Sequence, residues 1–105
     1  MKVLQTDDFK CWLNEQLGVI KDRVLFRIYR IEYDAHFGDV KFLGDQLSEL
    51  RWKNGLRVYF SRPCENIILF LIGGRKNEQK KNIKKARLLI SRYANYWTKE
   101  HRRIK

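Results

Sequence analysis

The sequence has few of the residues that small proteins use for cross-links and metal binding. Its 105 residues include two cysteines, Cys11 and Cys64, and two histidines, His36 and His101. Two cysteines are too few for a disulfide framework, and neither has a CxxC or metal-ligand spacing. We therefore expect two reduced thiols, no metal and no cofactor. His36 falls in a predicted loop and His101 in the tail, so neither is expected to act as an acid or base.

Long apolar stretches are also missing. The longest run, Ile67 to Ile72, is far too short to cross a bilayer. The first 17 residues carry Asp7, Asp8 and Lys10, which interrupt any secretory signal. The chain also lacks an HxxxE metal pair, a Ser/His/Asp arrangement and a GxxxxGK[ST] phosphate loop. These absences predict a cytoplasmic protein that has no membrane partner and uses none of those chemistries.

What the chain does have is enough apolar material for one packed core. Hydrophobic residues make up 44% and aromatic residues 13% of the sequence. This composition is typical of a globular protein, and the length fits a single domain over residues 1–105. We expect residues 98–105 to form a frayed basic tail.

Positive charge is concentrated in the last third of the chain. Residues 1–74 hold 11 Lys/Arg against 10 Asp/Glu, whereas residues 75–105 hold 12 Lys/Arg against only two glutamates. The formal net charge of +11 therefore belongs almost wholly to the C-terminal segment. Such an imbalance favours a polyanion, above all nucleic acid. An anionic membrane surface, an acidic protein or a merely solvated helix are the alternatives.

Helical spacing appears near both ends of the sequence. Thr6 reads as an N-cap for a first helix that Gly18 would end. A second helix is predicted from Asp22 to Tyr33. A final helix begins near Asn77 or Glu78, with a core stripe at Ile83, Ala86, Ile90, Tyr93 and Trp97. Arg23, Arg27 and Arg30 form a separate stripe that we expect to face solvent.

Between the helices the pattern alternates, which is typical of half-buried strands. Met1 to Gln5 could supply a further short strand at the N-terminus. Lys53-Asn54-Gly55 is a hairpin turn, and Pro63 should end the strand that follows it. Ile67 to Ile72 is apolar on both faces and predicts the central strand, closed by Gly73-Gly74.

Alternation places several charged side chains on one sheet face. Lys41, Arg51 and Arg57 each stand between apolar residues of their own strands, so all three should point away from the first two helices. Glu49 joins them, and Lys76 or Arg75 could reach the rim. The sequence therefore predicts a shallow, cation-lined face beside a basic helix. Surface strands also carry Lys and Arg simply to discourage edge pairing, which is the structural alternative.

Several short motifs in a fixed order resemble the RelE/ParE toxin superfamily. They are GDVKFLG over 38–44, SELR over 48–51, LRVYF over 56–60, GGRK over 73–76 and NIKKA over 82–86. The resemblance is closest to HigB-type addiction-module killer proteins and covers roughly residues 4–97. It implies an α+β, RelE-like fold, in which an N-terminal helix hairpin packs on a twisted antiparallel sheet with a basic C-terminal helix.

The resemblance also implies a function. It suggests the toxin of a type II toxin–antitoxin pair, neutralised by a helix-turn-helix antitoxin. Many members cut messenger RNA on the ribosome, whereas ParE-type members block DNA gyrase and have no nuclease site. A nucleic-acid-binding module without toxicity is a third reading.

Site residues carry over by position. Arg57 matches the phosphate-stabilising arginine of the family, and Arg51 a basic strand residue. Lys76 matches the basic position after the last strand, and Lys41 the lysine of the Gly-Asp-X-Lys motif. The chain departs from the pattern over 78–83, where ribonuclease members carry Tyr or His, and at Glu49, where some have lysine.

A ribonuclease mechanism assigns these residues roles. Lys41 is the candidate base, with Glu49 as the alternative, and Arg51 and Arg57 suit the phosphate because guanidinium binds it in bidentate fashion. Lys76 would stabilise the leaving group. The predicted RNA-binding residues are Arg75, Lys80, Lys81, Lys84 and Lys85. Because acid–base groups are few, we expect activity to depend on RNA held by the ribosome.

Overall fold

Two helices precede most of a five-stranded sheet, and one long helix follows it. This computed structural model describes the backbone of residues 1–104 and the side chains of residues 1–94. The elements are β1 (Lys2–Gln5), α1 (Asp7–Asn14), α2 (Gly18–Asp34), β2 (Val40–Gly44), β3 (Leu47–Arg51), β4 (Leu56–Cys64), β5 (Ile67–Arg75), a 3-10 turn (Lys76–Glu78) and α3 (Gln79–Ile104). This is the α+β fold class that the sequence predicts. Trp97 and the predicted tail over 98–105 lie outside the described side chains.

The sheet has the strand order β1-β5-β4-β3-β2. Strands β2 to β5 pair antiparallel in sequence, and β1 joins β5 in parallel. The predicted central strand, Ile67 to Ile72, is interior but not central, because β4 occupies the middle. The Lys53–Gly55 turn is confirmed: the Trp52 N–H donates to Leu56 O at 3.0 Å, and Gly55 has a φ of 91°.

Helices cover both faces of the sheet, and each face has its own core. On one face, Phe9 of α1 and Val24 and Ile28 of α2 pack against Val58 and Phe70. On the other face, Ala86 and Leu89 of α3 pack against Leu47, Tyr59 and Leu71. Alternation along the strands therefore separates an α1/α2 face from an α3 face.

The junction between α1 and α2 differs from the prediction. Thr6 caps α1 as expected, since its hydroxyl accepts the Phe9 N–H at 3.0 Å. The helix nevertheless ends at Asn14, because the Glu15 and Gln16 N–H groups close its last turn. Gly18 is the first residue of α2 and not the stop of α1.

Two expected strand ends are also wrong. Pro63 lies inside β4, which continues to Cys64 beyond a register shift. Gly73 and Gly74 lie inside β5, which continues to Arg75. These glycines are needed because helices approach the strand closely: a Cβ at Gly73 would collide with the Trp12 ring, and one at Gly74 with the Asn82 amide.

Candidate active site

Strand register brings the predicted cations together on the α3 face. Lys41 pairs with Glu49, which pairs with Tyr59, so these three form one row across the sheet. Arg51 pairs with Arg57 in the adjacent row. Residues directly opposite each other on antiparallel strands share a face. We call the set Lys41, Glu49, Arg51 and Arg57 the cationic cluster.

Glu49 is the centre of this cluster and is fully buried. Its Oε2 accepts a hydrogen bond from Gln79 Nε2 of α3 at 2.7 Å. Its Oε1 lies 3.6 Å from Arg51 Nε and 4.0 Å from Arg57 Nε. A buried carboxylate is costly unless it is paired, and two guanidinium groups with one amide offset that cost.

Arg57 is not the exposed strand arginine that alternation suggests. It is only 6% exposed, and its guanidinium NH1 group donates to Trp52 O at 2.9 Å and Leu56 O at 2.8 Å. The reason is that α3 covers this part of the sheet, and sequence alternation carries no information about that cover. Arg51, with a side chain 35% exposed, and the exposed Lys41 are the members that solvent reaches.

Sequence reasoning missed two residues of the site. Gln79 is the first residue of α3 and donates to Glu49. Tyr59 is fully buried beside Glu49, and burial together with this carboxylate raises the pKa of Tyr59 above its ordinary value. Tyr59 had a signal in its spacing of two residues from Arg57. Gln79 had one in the family resemblance, whose C-terminal pattern includes it between the GGRK and NIKKA motifs, but neither residue was assigned to the site.

Arg75, the last residue of β5, and Lys76, the first residue of the 3-10 turn, lie in different surroundings. Arg75 pairs with Leu56, whose side chain belongs to the α1/α2 core, so Arg75 lies on that side of the sheet. It lines a cleft with Asp8 and other residues of α1 and with Glu15, which follows that helix. Lys76 lies at the rim near the hairpin, where its N–H donates to Gly55 O at 2.7 Å.

The predicted RNA-binding lysines of α3 are all exposed but divide between two sides of the helix. Lys85 forms an ion pair with Asp8 of α1 at 3.3 Å, and Lys81 lines the same acidic cleft. Lys80 and Lys84 share the side of Arg87, because i, i+4 and i+7 positions align on a helix. Arg87 donates to the carbonyls of Leu43 and Gly44, so that side faces β2.

The arginine stripe of α2 is not a uniformly solvated face. Arg27 donates to Phe37 O and Asp39 O and also to Arg51 O, and its guanidinium lies 4.3 Å from the centre of the Trp52 ring. Burial lowers the pKa of Arg27, and the Asp39 carboxylate opposes that shift. Arg27 therefore ties α2 to the start of β2 and the end of β3.

The described part of the chain offers no other evident chemistry. It contains no group of three His, Cys, Asp or Glu side chains able to hold a metal ion. His36 is exposed, while His101 lies outside the described side chains. Among the described residues, no helix is both long enough and apolar enough to span a bilayer.

Comparisons with known proteins identify the fold. No protein-family model matches the chain. A chain of the RelB–RelE antitoxin–toxin complex from Methanococcus jannaschii is similar, with a TM-score of 0.62 and 15% identity over 75% of this chain and 96% of that one. The isolated E. coli RelE toxin gives 0.59 and 9% identity over 78% and 97%.

One sequence relative is similar over most of both chains. It is an uncharacterized protein of Haemophilus influenzae, 34% identical over 92 residues, which cover 85% of this chain and 92% of the relative. The chain has the fold of RelE toxins and belongs to the same protein family as this Haemophilus influenzae protein.

Proposed function

We propose that this chain is the toxin of a type II toxin–antitoxin pair, of the HigB-like subgroup, and that it cleaves messenger RNA on the ribosome in the cytoplasm. The observation that carries the proposal is the cationic cluster on a RelE fold, with Lys41 and Arg51 open to solvent. A phosphodiester in its transition state gains negative charge, which guanidinium and ammonium groups stabilise.

The proposed reaction is an internal transfer. The 2′-oxygen attacks the adjacent phosphorus, the bond to the 5′-oxygen breaks, a base takes the 2′-proton and an acid protonates the leaving oxygen. RNA can reach Lys41 without rearrangement, whereas Glu49 is reachable only if Gln79 or Arg51 moves. Lys41 is therefore the first candidate base and Glu49 the second.

The remaining roles follow from exposure. Arg51 contacts the phosphate directly. The buried Arg57 stabilises the same negative charge electrostatically without touching it, while its guanidinium donates to Trp52 O beside the hairpin. Lys76 at the rim stabilises the leaving oxygen. The surrounding basic residues hold RNA by charge: Arg75, Lys80, Lys81, Lys84 and Lys85.

The proposed partners are messenger RNA on the ribosome and an antitoxin, which we expect to be a helix-turn-helix protein. The antitoxin is supported by the RelB–RelE complex, in which a toxin of this fold is bound to its antitoxin.

A gyrase-blocking toxin of the ParE type is the second candidate. The observation in its favour is that Glu49 and Arg57, two of four cluster members, are buried and engaged with the protein itself. A site used for chemistry would be expected to present more of its charge to the substrate.

Induction of the chain alone in bacteria separates these functions. We expect growth arrest, relief by the antitoxin, and codon-aligned 5′ ends in primer extension on cellular messages. Arg51→Ala should weaken the cuts by roughly a hundredfold. Arg62→Ala is the control, because Arg62 is exposed, its described hydrogen bonds go only to Glu65 O, and its one described ring contact is with Phe37 at 6.0 Å. Intact messages with a DNA-damage response would favour the gyrase target, and normal growth with soluble protein would reject a toxin.

A further inference from the structure

Glu49 is the acidic member of the cationic cluster, and its two carboxylate oxygens have different partners. Oε2 accepts the hydrogen bond from Gln79 Nε2 at 2.7 Å. Oε1 faces the two arginines and lies 3.6 Å from Arg51 Nε and 4.0 Å from Arg57 Nε. The residue is fully buried. A general base has to touch the proton that it removes, so a carboxylate enclosed in this way is poorly placed to be one.

Both arginines turn the same edge of the guanidinium toward Glu49. Their Nε atoms are buried and lie at ion-pair distance from Oε1, without a hydrogen bond. Nη1 of Arg57 donates to two carbonyls, which fixes that group from the other side as well. Neither Nη atom of Arg51 donates to a described residue, and its side chain is 35% exposed. Arg51 therefore keeps two N–H groups for a ligand, and guanidinium binds phosphate through two such groups.

The two guanidinium groups need an anion between them. Arg51 and Arg57 are directly opposite each other on β3 and β4, and like charges in such a pair repel. Glu49 precedes Arg51 by two residues on the same strand face and places one carboxylate oxygen near both. Without this carboxylate, Arg57, which is only 6% exposed, would be a buried cation with no counterion among the described ion pairs.

Gln79 fixes the same carboxylate from α3. It is the first residue of that helix and is half-buried. Its amide is a neutral donor, so it holds Oε2 without adding a charge that would draw Glu49 away from the arginines. Because Ala86 and Leu89 anchor α3 in the core, the position of Gln79 is fixed as well.

We propose that Glu49 is a positioning residue in cleavage and not its base. Its carboxylate holds the guanidinium groups of Arg51 and Arg57 so that Arg51 presents both Nη groups to the RNA phosphate. Gln79 acts through Glu49 and is a second positioning residue. The proposal rests on the proposed function, because it assigns roles in RNA cleavage, and it leaves the exposed Lys41 as the base.

Cleavage of a ribosome-bound message by the full chain tests these roles in Glu49→Gln and Gln79→Leu. We expect kcat to fall roughly ten- to a hundredfold in both, because Arg51 is aimed less well at the phosphate. KM should change by less than about threefold, since the exposed cations still bind RNA. The rise of kcat with pH, which reports the base, should persist in Glu49→Gln. The double variant should be no slower than Glu49→Gln, because Gln79 acts only through that carboxylate.

Gln16→Leu is the matched control for Gln79→Leu. Gln16 is also half-buried, and its amide donates to Trp12 O at 2.9 Å, outside the cationic cluster. This variant should leave kcat unchanged. Thermal melts show which variants are folded.

The free protein gives a second readout that needs no RNA. In NMR spectra of the arginine side chains, the Nε–H proton of Arg51 should exchange with water about tenfold faster in Gln79→Leu than in the wild type. The reason is that a carboxylate no longer held by Gln79 leaves the buried Nε of Arg51 less well enclosed. If Glu49→Gln does not fold, kcat and this exchange rate in Gln79→Leu, which keeps every charge, carry the test.

Each outcome decides the proposal. A Glu49→Gln variant whose kcat no longer rises with pH would make Glu49 the base and overturn it, as would full activity in either single variant. A wild type that cuts no message rejects the proposed function and, with it, any role in cleavage. Unchanged exchange of the Arg51 proton in Gln79→Leu rejects the positioning contact itself, whether or not the wild type cuts.

Discussion

At the level of single residues, burial separates the two arginines of the cationic cluster. Arg57→Ala should lose both activity and stability, because it removes two hydrogen bonds to strand carbonyls and leaves the buried Glu49 with one guanidinium fewer. We expect a loss on the order of 3 kcal/mol in unfolding free energy. Urea denaturation measures it, and Arg62→Ala is the control. An unchanged midpoint would contradict the burial of this side chain.

Arg51→Ala should instead affect activity with little change in stability. Its Nε lies 3.6 Å from the buried Glu49, but its side chain is 35% exposed and makes no hydrogen bond to a carbonyl among the described contacts, so we expect a cost of about 1 kcal/mol, smaller than for Arg57→Ala. The loss of phosphate stabilisation should slow cleavage roughly a hundredfold. Cleavage of a ribosome-bound message and a thermal melt, run on the same preparation, test both halves. A folded variant with full activity would exclude Arg51 from the site.

Tyr59 should make the protein sensitive to alkali. Its pKa is raised in the folded state by burial and by Glu49, so the folded state resists loss of the phenolic proton. This contribution to stability is fully present below the ordinary tyrosine pKa of about 10 and declines as pH rises above it. Between about pH 9 and 11, the melting temperature of Tyr59→Phe should therefore fall less than that of the wild type. Parallel curves for the two proteins would show that Tyr59 ionises freely.

These residues also show what the sequence could and could not predict. Period-two alternation correctly grouped Lys41, Arg51 and Arg57 on one face, because the face on which a side chain lies alternates along each strand. It could not predict that Arg57 is buried, since that depends on where α3 crosses the sheet. Gln79 was missed for the same reason: its contact with Glu49 joins residues 30 positions apart.

At the level of elements, two adjacent glycines set how closely the helices approach β5. Gly73→Ala should push its new methyl group into the Trp12 ring, which packs against both cores. Overpacking of this kind costs about 1–3 kcal/mol. Gly18→Ala is the matched control, because nothing lies within 4 Å of the added atom. It should be neutral or slightly stabilising in α2. Equal melting temperatures for the two variants would exclude a steric role for Gly73.

Contacts between elements explain why two predictions from the sequence were wrong. The glycines were read as a strand end because glycine weakens strands in general, yet here it admits Trp12 and Asn82. Arg27 was read as solvated because its neighbours in the stripe are charged, yet it bonds to carbonyls of 37, 39 and 51. In both cases the deciding partner comes from another element.

At the level of the whole molecule, the net charge of +11 is not spread evenly even within α3. The side of the helix that faces α1 lies against Asp7, Asp8 and Glu15, which line the cleft with Lys81 and Lys85. The side that faces β2 carries Lys80 and Lys84 near Arg87. The positive field that an RNA meets should therefore be stronger on the β2 side, where the exposed Lys41 also lies.

This asymmetry predicts different salt dependences for two matched pairs of lysines. Lys80→Gln with Lys84→Gln removes two charges that form no ion pair among the described residues, although Lys84 lines a depression with Asp8. The slope of log K against log salt should therefore fall by roughly 1.5. Lys81→Gln with Lys85→Gln removes charges that α1 already offsets, one of them through the Lys85–Asp8 pair. The slope for this variant should fall by about half the amount expected for the Lys80 and Lys84 variant, or less. Both variants have the same net charge, which makes each the control of the other. Binding to purified ribosomes across a salt series measures the slopes, and equal slopes would mean that only total charge matters, not the side of α3 on which it lies.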